Sequence, residues 1–277
     1  MAPVRIVTDS TAFLDKETIE KYNIVVVPLY VNFENEVILD GSIPNSEFFE
    51  KMKHSAKLPF TSQPSPGDFV KVFEKIIEEG SDIVTIVISS GISGTYDSAI
   101  NAAKVVDAKR IAVVDSILTS GGLARLVTEA AEAAVQGKTK EEIVALVEDK
   151  KRRLRIFFVP DTLEYLKKGG RIGGAQALLG TLLKIKPVLY LNNGKVDSYD
   201  KVRTMKKALE RIVDEIPPAK GPFPVILIHA EAPSTVKTLA DMVQDRFPEA
   251  EITINELSPV IGTHTGPGVV GICFYAQ

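Results

Sequence analysis

Hydroxyls, one imidazole and one guanidinium, set in four segments rich in polar residues, glycine or proline, are the side chains of this sequence best suited to holding an anion. Thr61-Ser62-Gln63-Pro64-Ser65-Pro66 precedes an apolar-periodic stretch that begins at Phe69. Its prolines restrict the backbone and aim the hydroxyls. Ser89-Ser90-Gly91-Ile92-Ser93-Gly94-Thr95-Tyr96 lies between a buried-type strand and a helix. Free N–H groups at such a helix start favour an anion, and Ser93 adds a hydroxyl donor. Hydroxyls in that position also serve commonly as simple N-caps. The third segment runs from Leu163 to Gly174 and holds four glycines in its last six residues. Glycines allow close backbone approach, and Arg171 among them can meet a carboxylate or phosphate bidentately. In the fourth, Gly262-Thr263-His264-Thr265-Gly266-Pro267-Gly268, no helical or strand period is visible. It reads as a loop; a lone histidine is commonly a core or surface filler, and the Gly and Thr flanks of His264 make a ligand contact the competing reading.

Other chemistries fail on spacing. Gly137-Lys138-Thr139 ends like a phosphate-binding P-loop, but the glycine needed five residues earlier is Glu132. The first strand runs into Thr8-Asp9-Ser10-Thr11 and not into a glycine-rich dinucleotide turn. His54, His229 and His264 are far apart, and Cys273 is the only cysteine, so no metal site and no intrachain disulfide is expected. Gly91-Ile92-Ser93-Gly94-Thr95 misses the nucleophile elbow of α/β-hydrolases by one position. Ser93, Asp115 and His264 nevertheless follow the hydrolase chain order, which keeps a serine hydrolase acting on a lipid or ester as the alternative reading.

The elements that must position these residues alternate strand and helix. Val4–Thr8, Ile24–Leu29, Ile83–Ile88 and Ile111–Val114 read as strands; 69–79, 96–106, 122–136 and 140–153 have helical periods. Ile156–Val159 opens a second series: helices near 162–168 and 175–183, strands at 188–191 and 195–203 around the hairpin signal Asn192-Asn193-Gly194, then helix 204–215, strand 225–230, helix 234–247 and strands 251–256 and 271–275. This predicts an α/β protein of two α/β domains, residues 1–155 and 156–277, with mainly parallel sheets and the ligand site between them. At 277 residues, 45% apolar and 25% charged, the chain can bury a large core without staples. No stretch reaches bilayer-spanning length and no signal peptide is visible at Met-Ala-Pro-Val-Arg-Ile-Val, so a cytoplasmic, soluble protein is expected.

Charge is unevenly spread. Residues 150–211 carry 16 Lys/Arg against 5 Asp/Glu, a net +11, and the remainder carries 17 against 31, a net −14. Solvated helix faces account for many such lysines; a basic face also suits an acidic protein, phosphates or an anionic membrane surface. Nucleic acid fits poorly, since the window has few aromatics and no binding module.

Seven segments in order, TDSTA (8–12), TSQPSPGDF (61–69), SSGISGTYDSA (89–99), VVDS (113–116), LEYLKKGGRIG (163–173), KVRTMKKAL (201–209) and GTHTGPG (262–268), resemble the DegV family over essentially the whole chain. The resemblance implies a two-domain α/β protein that holds one fatty acid between its domains. FakB-type members deliver that acid to a fatty acid kinase, which phosphorylates the carboxylate. Carried over by position, the carboxylate-binding residues are Thr61 and Ser93, with the Gly94 amide and His264 nearby, while Arg171 and Arg203 match positions at the entrance and kinase-facing surface; the full expected ligand set is Thr61, Ser62, Ser93, Gly94, Arg171, His264 and Thr265. The expected partner-facing set is Lys167, Lys168, Lys201 and Arg203. No catalytic residue, metal or cofactor is implied; transient membrane-surface contact is compatible. Phe13 stands where an acidic residue is expected after TDSTA, and Thr265 where an apolar one is common. Burial of about 14 methylenes of a C16 chain at ~0.8 kcal/mol each gives roughly 11 kcal/mol gross, enough for tight binding after immobilisation costs. Leu178, Leu179, Leu182, Leu183 and Ile185 supply apolar surface, although core packing uses such residues more often. Another elongated amphiphile satisfies the same residues.

Overall fold

The computed structural model describes residues 2–180 and 185–276. The first half runs β1 (Val4–Asp9), α1 (Lys16–Tyr22), β2 (Val25–Val27), β3 (Tyr30–Asn32), β4 (Val37–Leu39), α2 (Asn45–His54), β5 (Phe60–Ser62), α3 (Pro66–Glu78), β6 (Asp82–Val87), α4 (Thr95–Val106), β7 (Ile111–Asp115), α5 (Ser120–Val135) and α6 (Lys140–Arg153). Strands β2-β1-β6-β7 form a parallel sheet in that order. The pleat of β6 sends Ile83 and Val87 into a core shared with Phe69 and Phe73 of α3, and Val84 and Ile86 into a second core shared with α5. A strand buried on both faces must be apolar nearly throughout, which is why it was legible as one.

The second half contains β8 (Leu154–Val159), α7 (Glu164–Lys168), a 3-10 turn (Gly173–Leu178), β9 (Lys186–Asn192), β10 (Lys195–Val202), α8 (Met205–Val213), β11 (Phe223–His229), α9 (Pro233–Arg246), β12 (Ala250–Glu256), α10 (Pro259–Thr265) and β13 (Val270–Tyr275). Its sheet has the order β10-β9-β8-β13-β11-β12. The α/β class read from the sequence stands, but in this sheet only β11 and β12 pair in parallel; every other pairing is antiparallel. The reason is connectivity. Two residues, Asn193 (φ +47°) and Gly194 (φ +80°), join β9 to β10, and so tight a turn can only join antiparallel strands. The helix expected over 175–183 is a 3-10 turn as far as Leu178; Leu182 and Leu183 lie outside the described residues.

Helix α5 lies between the two large sheets. A Cβ on Gly121 would stand 2.8 Å from Ile226, and one on Gly122 would stand 2.8 Å from Ile156, so these glycines permit the close approach. The short antiparallel sheet β4-β3-β5 forms a flap beside them. Buried polar groups tie this flap to the second half. Asp40 accepts the Val260 N–H of α10 (2.9 Å) and the Ser10 hydroxyl (2.7 Å), while Asn45 donates to Glu256 and the Leu257 carbonyl. Asp9 accepts the Thr11 amide and hydroxyl and the Ile88 amide, so the carboxylate of the TDST segment is fully used in structure.

Burial pushes the Asp40 carboxyl up to about 6, against the hydrogen bonds it accepts. The native state therefore holds the proton more tightly than the unfolded chain, and stability falls as pH rises from about 4 through about 6. The shift amounts to roughly 3 kcal/mol. Asp40→Asn, which mimics the protonated group, should be free of that decline. Denaturant titrations from pH 4 to 7 should show the parent losing about 3 kcal/mol relative to the variant; parallel profiles would refute the assignment.

Candidate functional site

A cavity opens where the flap, α10, the glycine-rich 169–174 loop and the 88–94 loop converge. It holds about 840 Å3 of space between atoms, a figure that includes the solvent of its open mouth. Its walls come from both sides of residue 155: Leu29, Ile88 and Ile92 from one, Phe158, Ile228 and Val260 from the other. Polar groups gather at Thr61, Gln63, Ser93, Arg171 and His264.

Strand alternation decides the flap's contribution. Phe60 is 65% exposed, the Thr61 side chain turns inward, and the Ser62 hydroxyl faces outward, where it accepts from Asn32 (3.0 Å). Ser62 therefore does not line the cavity. Thr61 Oγ1 lies 2.7 Å from His264 Nε2. His264 sits in the last turn of α10 and not in a loop, because Ser258 caps the Ile261 amide, Pro259 opens the helix and Gly266 (φ +75°) ends it. Its Nδ1 is buried with no partner among the described residues, packed against Gly169, where a Cβ would collide with it. Burial, with the Arg171 charge nearby, pushes the imidazole down to about 4, so it is neutral at physiological pH.

Arg171 donates from Nε to the Ile92 carbonyl (3.1 Å) and from Nη1 to the Gly169 carbonyl (2.8 Å). Among the described residues no carboxylate pairs with it. A half-buried cation without a counter-ion, beside a neutral imidazole and hydroxyls, is an anion-receiving arrangement. Ser93 Oγ contacts Thr95 Oγ1 (2.9 Å) and accepts the Thr95 amide (3.3 Å), so it also serves the start of α4. Gly94 is the N-cap of that helix, and the Gln63 side-chain amide lies so close that a Cβ would collide with it. Thr265 lines the cavity, but its hydroxyl donates to the Ile261 carbonyl of its own helix (3.1 Å).

The hydrolase constellation does not assemble among the described residues. Thr61 occupies His264 Nε2, no acceptor meets Nδ1, and the Asp115 carboxylate takes the Ser90 hydroxyl and the Ser90 and Ile117 amides. A Ser–His–Asp relay requires the opposite pairing.

A sequence model of the DegV family matches residues 3–277. The chain belongs to the DegV family. It is similar to a DegV domain-containing protein of Listeria innocua, at 37% identity over 97% of each chain. A solved DegV family protein of Thermus thermophilus, described as fatty-acid binding, superposes with a TM-score of 0.93 at 37% identity, covering 99% of this chain and 100% of that one. A stearic acid-binding protein of Eubacterium ventriosum superposes with a TM-score of 0.88 at 28% identity, covering 100% of this chain and 98% of that one.

The basic residues singled out in this DegV sequence as partner-facing lie at the surface. Lys167 and Lys168 end α7, and Lys168 pairs with Glu164 (2.6 Å). Lys201 and Arg203 are exposed at the end of β10, and their side chains have no ion-pair partner among the described residues. Leu178 is buried and Leu179 half-buried, but neither lines the cavity. No described helix is long and apolar enough to cross a membrane, and no described group of three His, Cys, Asp or Glu side chains suits a metal. Sequence reasoning treated Gln63 only as part of a hydroxyl-rich segment. It follows the three-residue strand Phe60–Ser62, which is too short to show a period, so no sequence signal set Gln63 on the face of Thr61.

Proposed function

We propose that this protein is a carrier with no chemistry of its own, holding one long-chain fatty acid in the cavity and presenting the carboxylate to a fatty acid kinase. The observation that carries the reading is Arg171, a cation with no carboxylate partner among the described residues, at the polar end of a largely apolar space. Thr61, Ser93 and the Gly94 amide supply hydrogen bonds to the carboxylate, neutral His264 holds the Thr61 hydroxyl in place from 2.7 Å, and Arg171 supplies the charge. The apolar walls take the acyl chain. That the T. thermophilus and E. ventriosum proteins are described as binding fatty acid and stearic acid supports the class of ligand. The cavity lies between two domains divided near residue 155, and the protein works in the cytoplasm, with transient access to a membrane surface and no role for nucleic acid.

Native mass spectrometry of freshly purified protein should report one bound fatty acid per chain. Thr61→Ala removes one hydrogen bond to a charged group, worth about 1.5–3 kcal/mol. Its affinity for a C16–C18 acid should fall by about 10- to 150-fold with the melting temperature of the empty protein nearly unchanged. Equal affinities would refute the carboxylate assignment. For the kinase step, Lys201 and Arg203 offer unpaired positive charge to an acidic partner. Arg203→Ala should spare loading and slow phosphorylation of the bound acid, with the rate falling as salt rises. Salt-independent transfer at the parent's rate would remove these residues from the partner surface.

A further inference from the structure

Two hydroxyls in the cavity wall have no role in the carboxylate site. Thr119 and Ser120 both line the cavity, and both side-chain oxygens are buried without a hydrogen-bond partner among the described residues. Ser120 is 3% exposed. They open the sixteen-residue helix α5, yet Thr119, at the N-cap position, makes no side-chain bond to the helix's first amides. Hydroxyls at a helix start ordinarily bond those amides, so the usual reason for Thr-Ser here is missing. Neither hydroxyl bonds Thr61, Ser93, Arg171 or His264. Gly121 and Gly122, the next residues, lie against Ile226 and Ile156, which presses this polar notch against the apolar floor of the large sheet.

A plain hydrocarbon chain leaves such a notch unsatisfied, and buried polar atoms are seldom left so. An oxygen on the chain satisfies it: a hydroxyl can donate to one side chain and accept from the other, and a keto oxygen can accept from both. The first, uncapped amides of α5 also favour an oxygen over a methylene. We propose that Thr119 and Ser120 form a second polar subsite that selects acyl ligands bearing a hydroxyl or keto oxygen along the chain. This deepens the fatty-acid reading and rests on it.

The test measures dissociation constants of delipidated protein for stearic acid and for a set of positional hydroxystearic acids. The parent should bind at least one isomer about tenfold more tightly than stearic acid. In Ser120→Ala and Thr119→Val that advantage should vanish, while stearic acid binds as well as in the parent or better. Because Ser120 has φ +48°, Ser120→Gly serves as a companion that removes the hydroxyl without backbone strain. If stearic acid binds tightly and every hydroxy isomer is disfavoured equally in parent and variants, the subsite is overturned and the fatty-acid reading survives. If no acid binds, both are overturned.

Discussion

Arg171→Met is expected to keep the fold and lose the carboxylate. The guanidinium is the cavity's cation and, among the described residues, is bonded only to the Ile92 and Gly169 carbonyls, both neutral. A carboxylate entering the parent meets an uncompensated charge; in the variant it meets hydroxyls, an amide and a neutral imidazole. Leaving a buried charge without its partner costs about 3–5 kcal/mol. Affinity for a long-chain acid should therefore drop by about two to three and a half orders of magnitude. The uncharged alcohol of the same chain length should bind parent and variant within a few-fold of each other. That contrast separates lost charge from a damaged cavity. The imidazole of His264 provides an independent readout, since Arg171 is one of the two influences that depress it. Its titration midpoint, followed by NMR, should rise in the variant. An unchanged acid affinity would dismiss Arg171 from the site.

The second large effect concerns the loop that carries Arg171. Gly173 has φ +50°, and a Cβ there would run into the Val196 carbonyl of β10. Backbone cannot yield as a side-chain tip can. Gly170 is the control: its φ is +69°, but nothing lies within 4 Å of its added Cβ. Gly170→Ala should cost about 1 kcal/mol of left-handed strain. Gly173→Ala adds a backbone collision and should cost at least about 3 kcal/mol, lowering the melting temperature by at least about 5 °C. Thermal melts of ligand-free protein measure both. If the two alanines destabilise equally, the close approach of loop to strand is not what requires glycine at 173.

Particular residues show where sequence reasoning reached and where it stopped. The buried run at 82–87 and the helical stripes beside it were legible because burial on both strand faces leaves little choice of residue. Asn193-Gly194 was legible because few dipeptides adopt two consecutive positive φ angles. Strands of three residues, as in the flap, are too short to show a period, and all three escaped notice. Helix α10 was hidden by its glycine- and threonine-rich end, although Ser258-Pro259 is a helix-start signal. Thr61 and Ser62 were grouped as one hydroxyl-rich patch, and only the strand separates them into inside and outside. Antiparallel pairing in the larger sheet depends on contacts between distant segments, which periodicity does not encode.

The bonds that close the cavity join residues very far apart along the chain: Thr61 to His264 across 203 positions, and Asp40 to Val260 across 220. A ribosome making this protein has finished the flap long before it makes the helix that will meet it. Until residues 259–265 emerge, Asp40 lacks its Val260 amide and Thr61 lacks its imidazole, so the flap waits with its polar groups in water. Contacts of such span are late and slow to form, because the closure entropy must be met before they return any stabilisation. Ligand capture is thus confined to chains that have completed their long-range closure, and a bound molecule shifts the balance further towards them by mass action.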